Sequence, residues 1–213
     1  MFSERKKIIK KLEKEYKSVV LIYVTSDKPG AETQIASDAI DSFINLLDLI
    51  GPVKKISLIL YTCGGETLAA WNIVNLIKMY CDEFEVIVPH KALSAGTLIC
   101  LGANRIIMTK QAILGPIDPS LNSPLNPQVD ANHKLPVSVE AVEEYLNIAR
   151  EKLQITDNKA LAEILISLSA NVHPLVLGQV FRTREQIKMM ADKLLCTQIT
   201  EKNYQRWCYK ILV

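Results

Sequence analysis

Phe84-Glu85-Val86-Ile87-Val88-Pro89-His90-Lys91-Ala92-Leu93-Ser94-Ala95-Gly96-Thr97-Leu98-Ile99-Cys100-Leu101 is the stretch that decides how this chain reads. The apolar run Phe84 to Val88 predicts a strand, and a helix is expected over Ala95 to Gly102. Between them, in Ala-Leu-Ser-Ala-Gly-Thr, stands Ser94. A strand that breaks sharply into a helix exposes its turn residue at the carboxyl edge of the sheet, where a nucleophile has room to act. The pattern also occurs upstream: the strand expected over Ile56 to Tyr61 runs into Thr62-Cys63-Gly64-Gly65, and a helical pattern follows. Taken singly, Gly64-Gly65 fits a tight turn and Ser94 a helix N-cap. Taken together, they suggest an oxyanion hole beside a nucleophile.

Working outward, the first half alternates strand and helix. Val19 to Thr25 is a continuous β-branched and apolar run, the pattern of a strand buried on both faces. Ser26-Asp27-Lys28-Pro29-Gly30 is a turn. Gln34 to Leu49 repeats apolar residues at helical spacing and Gly51-Pro52 stops it. Glu66 to Tyr80 is helical, and Arg105 to Met108 is another short strand. This alternation implies an α/β fold with a parallel sheet and right-handed crossovers. Leu114 to Leu135, rich in Pro, Asn, Asp and Ser, reads as a long loop of the functional or mobile kind. Helical patterns follow over Val137 to Lys152, Lys159 to Ser169, Pro174 to Phe181 and Arg184 to Leu195, the last opened by a capping box of Thr183 and Gln186. The tail from Thr197 is ambiguous, and its end, Trp207 to Val213, suits a strand or an oligomer contact. The expected layout is a charged helix over 1–17, a domain over 18–195 and a tail over 196–213.

The bulk composition narrows the classes. At 213 residues the chain can bury one sizeable core, and 49% hydrophobic with 6% aromatic residues makes that core mainly aliphatic. A net charge of +2 gives no footprint for nucleic acid, and the basic N-terminal helix interleaves Glu4, Glu13 and Glu15 among its lysines. Five cysteines, an odd number without zinc spacing, read as reduced thiols of a cytoplasmic protein, with Cys81 and Cys100 as small core residues. No signal peptide and no apolar run of about 18 residues is present, so no integral membrane segment is expected. His90, His133 and His173 lack metal-ligand spacing, and neither metal nor cofactor is expected. His90 reads as a loop residue, and Lys91 and Lys110 read as solvated.

Thr62-x-Gly64-Gly65, then Ser94-Ala95-Gly96-Thr97, then Leu114-Gly115-Pro116-Ile117-Asp118-Pro119 resembles the Clp-fold serine peptidases, and the last two motifs resemble the SDH-type branch in particular. The resemblance covers roughly residues 15–195 and is strongest between 56 and 120. It implies a ClpP/crotonase-like fold of repeated βαβ units with a helical C-terminal part, a serine-type endopeptidase acting on peptide or protein substrates, and a homo-oligomer. Carried over residue by residue, it makes Ser94 the nucleophile and Gly65 and Ala95 the donors of the oxyanion hole. The chemistry agrees. Glycine admits a close backbone approach, and Ala95 follows the nucleophile at a helix start, where N–H groups are free.

A serine hydroxyl needs a base. The housekeeping Clp peptidase has a His in an Ile-His-Gln-Pro stretch where this chain has Leu-Gly-Pro-Ile-Asp-Pro, so the usual Ser-His-Asp order is absent. Two replacements are open: a Ser-Lys dyad using Lys134, just before the helix expected from Val137, or His173 oriented by Asp118 in a rearranged triad. Two readings without this chemistry also fit the fold. One is a crotonase-type acyl-CoA enzyme, which needs two backbone N–H groups but no serine. The other is a decayed Clp-fold assembly protein.

Overall fold

The computed structural model describes residues 2–117, 120–121, 124–130 and 133–196. The chain divides into two compact units. One runs over Met1–Ile117 and takes in the chain from Met190; the other is Asp118–Met189.

The first unit opens with α1 (Phe2–Tyr16) and then alternates: β1 (Val19–Val24), α2 (Ala39–Ile50), β2 (Val53–Tyr61), α3 (Thr67–Met79), β3 (Cys81–Val88), β4 (Lys91–Ala92), α4 (Ala95–Leu101), β5 (Arg105–Met108) and β6 (Ile113–Leu114). Four of these strands form one parallel sheet in the order β1-β2-β3-β5. This is the mixed α/β architecture, with a parallel sheet, that the alternation predicts. The strand order never reverses, so right-handed crossovers set α2, α3 and α4 on one face.

The register shows why that face is the core. Leu21 lies beside Leu58, Leu58 beside Val86, and Ile56 beside Phe84; Ile56, Leu58, Phe84 and Val86 are fully or almost fully buried. From the helices come Phe43 and Leu47, then Ala69, Ala70, Ile73, Val74 and Ile77, and finally every residue of α4. A helix apolar all round belongs in an interior. The small Ala69 and Ala70 suit the close packing of α3 on α4.

The other face departs from the expectation that β1 is buried on both sides. It carries the in-register row Ile22, Ile59, Ile87 and Ile107, in which Ile22 is 51% exposed, and Val24 beyond it is 59% exposed. A β-branched run alone does not tell a strand covered on both faces from one covered on a single face. Glu85, only 1% exposed, sits in the next row of that face between Ser57 and Arg105. Its carboxylate accepts hydrogen bonds from Ser57 Oγ (3.0 Å) and Lys55 Nζ (3.1 Å), with Arg105 Nε at 3.7 Å. A buried carboxylate is tolerable only when paired and hydrogen-bonded in this way.

Three boundaries differ from the expected ones for a physical reason. The helix expected from Gln34 starts only at Ala39, because the Ile35 backbone is engaged instead in a bridge with Gly65. Strands β2 and β3 begin earlier than their apolar runs, at Val53 and Cys81, because the solvent-facing ends of strands accept Lys54, Asp82 and Glu83.

In the second unit, the stretch expected as an unstructured loop carries short antiparallel pairs. β7 (Ser120–Leu121) pairs with β10 (Val137–Ser138), and β8 (Gln128–Asp130) with β9 (His133–Lys134). Strands of two or three residues leave no periodicity to read. Helix α5 (Val139–Asn147), capped by Ser138 Oγ on the Ala141 N–H (3.1 Å), continues into a π-helical turn over Ile148–Lys152. Helix α6 (Asn158–Asn171) is capped by Asp157 on the Ala160 N–H (2.9 Å). The last helix, α7 (Pro174–Cys196), is continuous where two were expected. Thr183 and Gln186 therefore lie inside it and cap nothing. Val176, Leu177 and Val180 before the anticipated break and Ile187, Met190, Ala191 and Leu194 after it are buried, and the step of two helical turns from Val180 to Ile187 keeps both sets on one face of a single helix. A small core of Val137, Val142, Val176, Leu177 and Val180 holds this unit together. The tail from Thr197 lies outside the described residues. No single helix among those described is long and apolar enough to cross a membrane.

Candidate active site

Beyond the carboxyl edge of the sheet, the first unit builds a smaller tier. Ile35 bridges Gly65, Thr62 bridges Ala92, and β4 pairs in parallel with β6. All three motif turns meet here. Thr62 is the hub. Its N–H donates to Lys91 O (3.1 Å), and its carbonyl accepts from Leu93 N–H (3.1 Å). Its fully buried hydroxyl receives the Gly64 N–H (3.0 Å) and contacts Thr25 Oγ1 (2.9 Å). One threonine thus fixes the Gly-Gly turn against the strand that leads into Ser94.

The Leu-Gly-Pro motif is fastened to the same place. Thr97 Oγ1 lies 3.0 Å from Ala92 O and 2.6 Å from Gly115 O, its single hydrogen serving one acceptor at a time, and the Gly115 N–H donates to Ala92 O (3.3 Å). This explains why Ser-Ala-Gly-Thr and Leu-Gly-Pro occur together: the hydroxyl of one reaches the backbone of the other.

Ser94 holds φ 51° and ψ −117°, a region L-residues rarely adopt, although it stands at the N-cap position of α4. Its hydroxyl makes no capping bond; the first turn is closed by its carbonyl instead, which accepts from the Thr97 (2.8 Å) and Leu98 (3.2 Å) N–H groups. The capping reading of Ser94 therefore fails. Strain of this kind costs on the order of 1–3 kcal/mol and persists only where surrounding structure enforces it. Among the described residues nothing is hydrogen-bonded to the half-buried Ser94 Oγ.

Gly64 and Gly65 take φ +114° and +146°. A Cβ on Gly64 would stand 2.8 Å from Ser94 Cβ, which puts the Gly-Gly turn directly against the serine. A Cβ on Gly65 would stand 2.1 Å from Ile35 O. Gly65 is thus glycine chiefly because Ile35 backs it: the Ile35 N–H donates to Gly64 O and Ile35 O accepts the Glu66 N–H, both at 2.8 Å. The contact from Ile35, thirty residues earlier in the chain, leaves no local sequence signal. The N–H groups of Gly65 and Ala95 donate to no described residue.

The candidate bases belong to the other unit. Lys134 lies on β9, paired with Gln128, and its side chain is outside the described residues, as is Asp118. His173 is exposed just before α7, and its Nδ1 accepts the Leu175 N–H (3.2 Å), a capping contact. His90 is exposed, with its ring 6.0 Å from that of Tyr61.

Lys91 departs from the solvated reading. Its Nζ is 2.6 Å from Asp27 Oδ2 and 5.4 Å from the centroid of the Tyr61 ring, and the side chain is only 17% exposed. The Tyr61 hydroxyl donates to the same Asp27 oxygen (3.0 Å). The Lys91 hydrogen bond, then that of Tyr61, holds the Asp27 carboxyl below the ordinary carboxylate value, and Asp27 in turn pushes Lys91 up. Cys63 is an exposed thiol on the Gly-Gly turn, while burial pushes the Cys100 thiol up to about 12. Among the described residues, no three His, Cys, Asp or Glu side chains stand close enough to hold a metal.

Two uncharacterised proteins of Methanocaldococcus jannaschii are 53% and 46% identical to this chain over 68 and 66 residues, about a third of the chain in each case. Those matches span 24% and 23% of the relatives, so the chain corresponds to about a quarter of their length. A solved structure of the 1510-N membrane-bound stomatin-specific protease, a serine-to-alanine mutant, aligns over 68% of this chain and 67% of its own, with 20% identity and a TM-score of 0.40. The profile of the ClpP-like SDH-type serine proteinases matches residues 1–134, which is more than half of the chain and includes the Gly-Gly turn, the Ser94 turn and Leu-Gly-Pro. This chain accordingly belongs to the ClpP-like SDH-type serine proteinases.

Proposed function

We propose that the chain cleaves peptide bonds through an acyl-enzyme on Ser94. The observation that carries this reading is the conjunction at the tier: a strained serine whose hydroxyl caps nothing, pressed against a turn whose Gly65 N–H, like that of Ala95, has no acceptor among the described residues. In the proposed reaction Ser94 Oγ attacks the peptide carbonyl carbon while a base takes its proton. The carbonyl π pair moves onto oxygen, and that oxyanion accepts hydrogen bonds from Gly65 and Ala95 N–H. The C–N bond then breaks, the base returning its proton to the leaving amine. Water attacks the resulting ester by the same route, releasing the acid and restoring Ser94.

Lys134 is the preferred base. A lysine serves only when uncharged, so this role requires a desolvated side chain with a lowered pKa. His173 with Asp118 is the alternative; it requires His173 to give up its cap on α7, because an Nδ1 that accepts the Leu175 N–H leaves the neutral ring's proton on Nε2 and no nitrogen to act as base. Peptide or protein is the proposed substrate and a homo-oligomer the proposed state. The strained serine favours the peptidase over an acyl-CoA enzyme, which has no use for a hydroxyl there, and over a decayed site, which would have no reason to keep the strain.

The test is hydrolysis of an unfolded protein substrate by the full chain. Ser94→Ala should abolish it, and Lys134→Met should lower it by at least about a hundredfold while His173→Ala leaves it within threefold, on the usual magnitude of base catalysis. Full activity in Lys134→Met with loss in His173→Ala would move the base to His173. Full activity in Ser94→Ala would end the proposal.

A further inference from the structure

Asp27, Tyr61 and Lys91 have no part in the chemistry above, yet their contacts join three of the chain segments that build the tier: the loop after β1, the end of β2 and β4. Tyr61 is the last residue of β2, directly before Thr62-Cys63-Gly64-Gly65. Lys91 opens β4, which runs straight into Leu93 and Ser94. Asp27 lies in the loop after β1, the loop that returns at Ile35 to back Gly65. That loop is braced within itself by Ser26 N–H on Thr33 Oγ1 (2.7 Å) and Thr33 N–H on Ser26 O (2.8 Å). A single carboxylate oxygen, Asp27 Oδ2, accepts both the Tyr61 hydroxyl and the Lys91 ammonium. The ammonium also lies over the Tyr61 ring, so the three side chains form one closed cluster.

We propose that Asp27 is a positioning residue: through Lys91 and Tyr61 it fixes the support of the Gly65 N–H relative to the strand that carries Ser94. The inference rests on the reading of Ser94 as nucleophile and Gly65 as oxyanion donor. An oxyanion hole acts only when its donors stand at hydrogen-bond distance from the place where charge develops, and a misplacement of about 1 Å costs as much as a hundredfold in rate. The backbone bonds of Ile35 hold Gly65 to the loop, and those of Thr62 hold β2 to β4. The Asp27 cluster spans the remaining side, between loop and β4. Lys91, held as a cation by Asp27, belongs to this brace and is no base. The arrangement acts on the transition state and leaves the substrate-binding surface as it is, so its loss appears in the rate of acylation and not in affinity.

The experiment measures the rate of Ser94 phosphonylation by a fluorophosphonate, and kcat and KM for a peptide ester, with the full chain. Asp27→Asn and Lys91→Met should each slow phosphonylation and lower kcat by about ten- to a hundredfold, with KM within threefold. The double variant should be no slower than the worse single, and Lys91→Arg should recover most of the rate, since a guanidinium still reaches the carboxylate. Tyr61→Phe removes one hydroxyl from the cluster and keeps the proposal testable should either charge variant fail to fold; it should lose rate by a smaller factor with KM unchanged. Wild-type rates in Asp27→Asn or in Tyr61→Phe, in a chain whose wild type is labelled at Ser94, would overturn the positioning role and leave the nucleophile standing. A rise in KM with kcat unchanged would do the same. An unlabelled wild type would overturn both.

Discussion

At the residue scale, the strain at Ser94 has a measurable consequence. Glycine adopts its φ of 51° freely, whereas alanine keeps the penalty. Ser94→Gly should therefore be more stable than Ser94→Ala by about 1 kcal/mol in denaturant unfolding, although both lack the hydroxyl. Equal stabilities would mean that the backbone there is relaxed. Asp27 offers a second prediction. Its carboxyl is held below the ordinary value of 3.8, first by Lys91 and then by Tyr61. A depressed carboxylate contributes stability above its unfolded pKa and loses that contribution as pH falls through its folded value. Lys91, raised above 10.5, contributes below its unfolded value and loses that as pH rises through the folded one. The pair is thus intact across the whole neutral range. Titration of the Asp27 carboxyl by carbon NMR should give a midpoint below 3.8 that rises towards the ordinary value in Lys91→Met. An unshifted wild-type midpoint would mean the contact does not form in solution. The turns that hold Ser94 and Gly65 were legible from sequence because strand, turn and helix each leave a local signature. The Asp27 cluster was not, since its members are 34 and 64 residues from Asp27 and none belongs to a motif.

At the element scale, caps and buried charge decide what a substitution costs. Asp157 closes the first turn of α6, so Asp157→Ala should destabilise by about 1 kcal/mol. Thr183→Ala, which would cost as much if a helix began there, should change stability by less than about 0.5 kcal/mol, because α7 passes through it unbroken. A thermal or denaturant comparison of the two decides between one helix and two. The capping-box pattern misled because Thr and Gln at that spacing also occur inside helices; the buried stripe that resumes in phase at Ile187, two turns after Val180, was the stronger signal. Glu85 sits in a strand that otherwise reads as apolar, and β3 keeps it through Ser57, Lys55 and Arg105. Glu85→Ala leaves Lys55 without its partner and a void in the sheet, and should cost about 3–5 kcal/mol in denaturant unfolding. A cost under about 1 kcal/mol would mean the network is idle.

At the scale of the whole molecule, the strand–helix alternation made the parallel sheet legible, and the three motif turns made the family legible. Which faces of the sheet are covered was not legible, because Ile22 and Val24 look the same in sequence whether or not something packs on them. Nor were the short strands β7 to β10, where backbone pairing needs no side-chain pattern. Catalysis as proposed asks more of the molecule than the tier alone. Ser94, Gly65 and Ala95 belong to one compact unit, and Lys134 and His173, the proposed bases, to the other. The most direct measurement is intact-mass and peptide mass spectrometry of the full chain after treatment with a fluorophosphonate. The account predicts one adduct per chain, on Ser94, absent in Ser94→Ala and lost in Lys134→Met. A folded wild-type chain that takes no adduct, or that carries it on another residue, would contradict it.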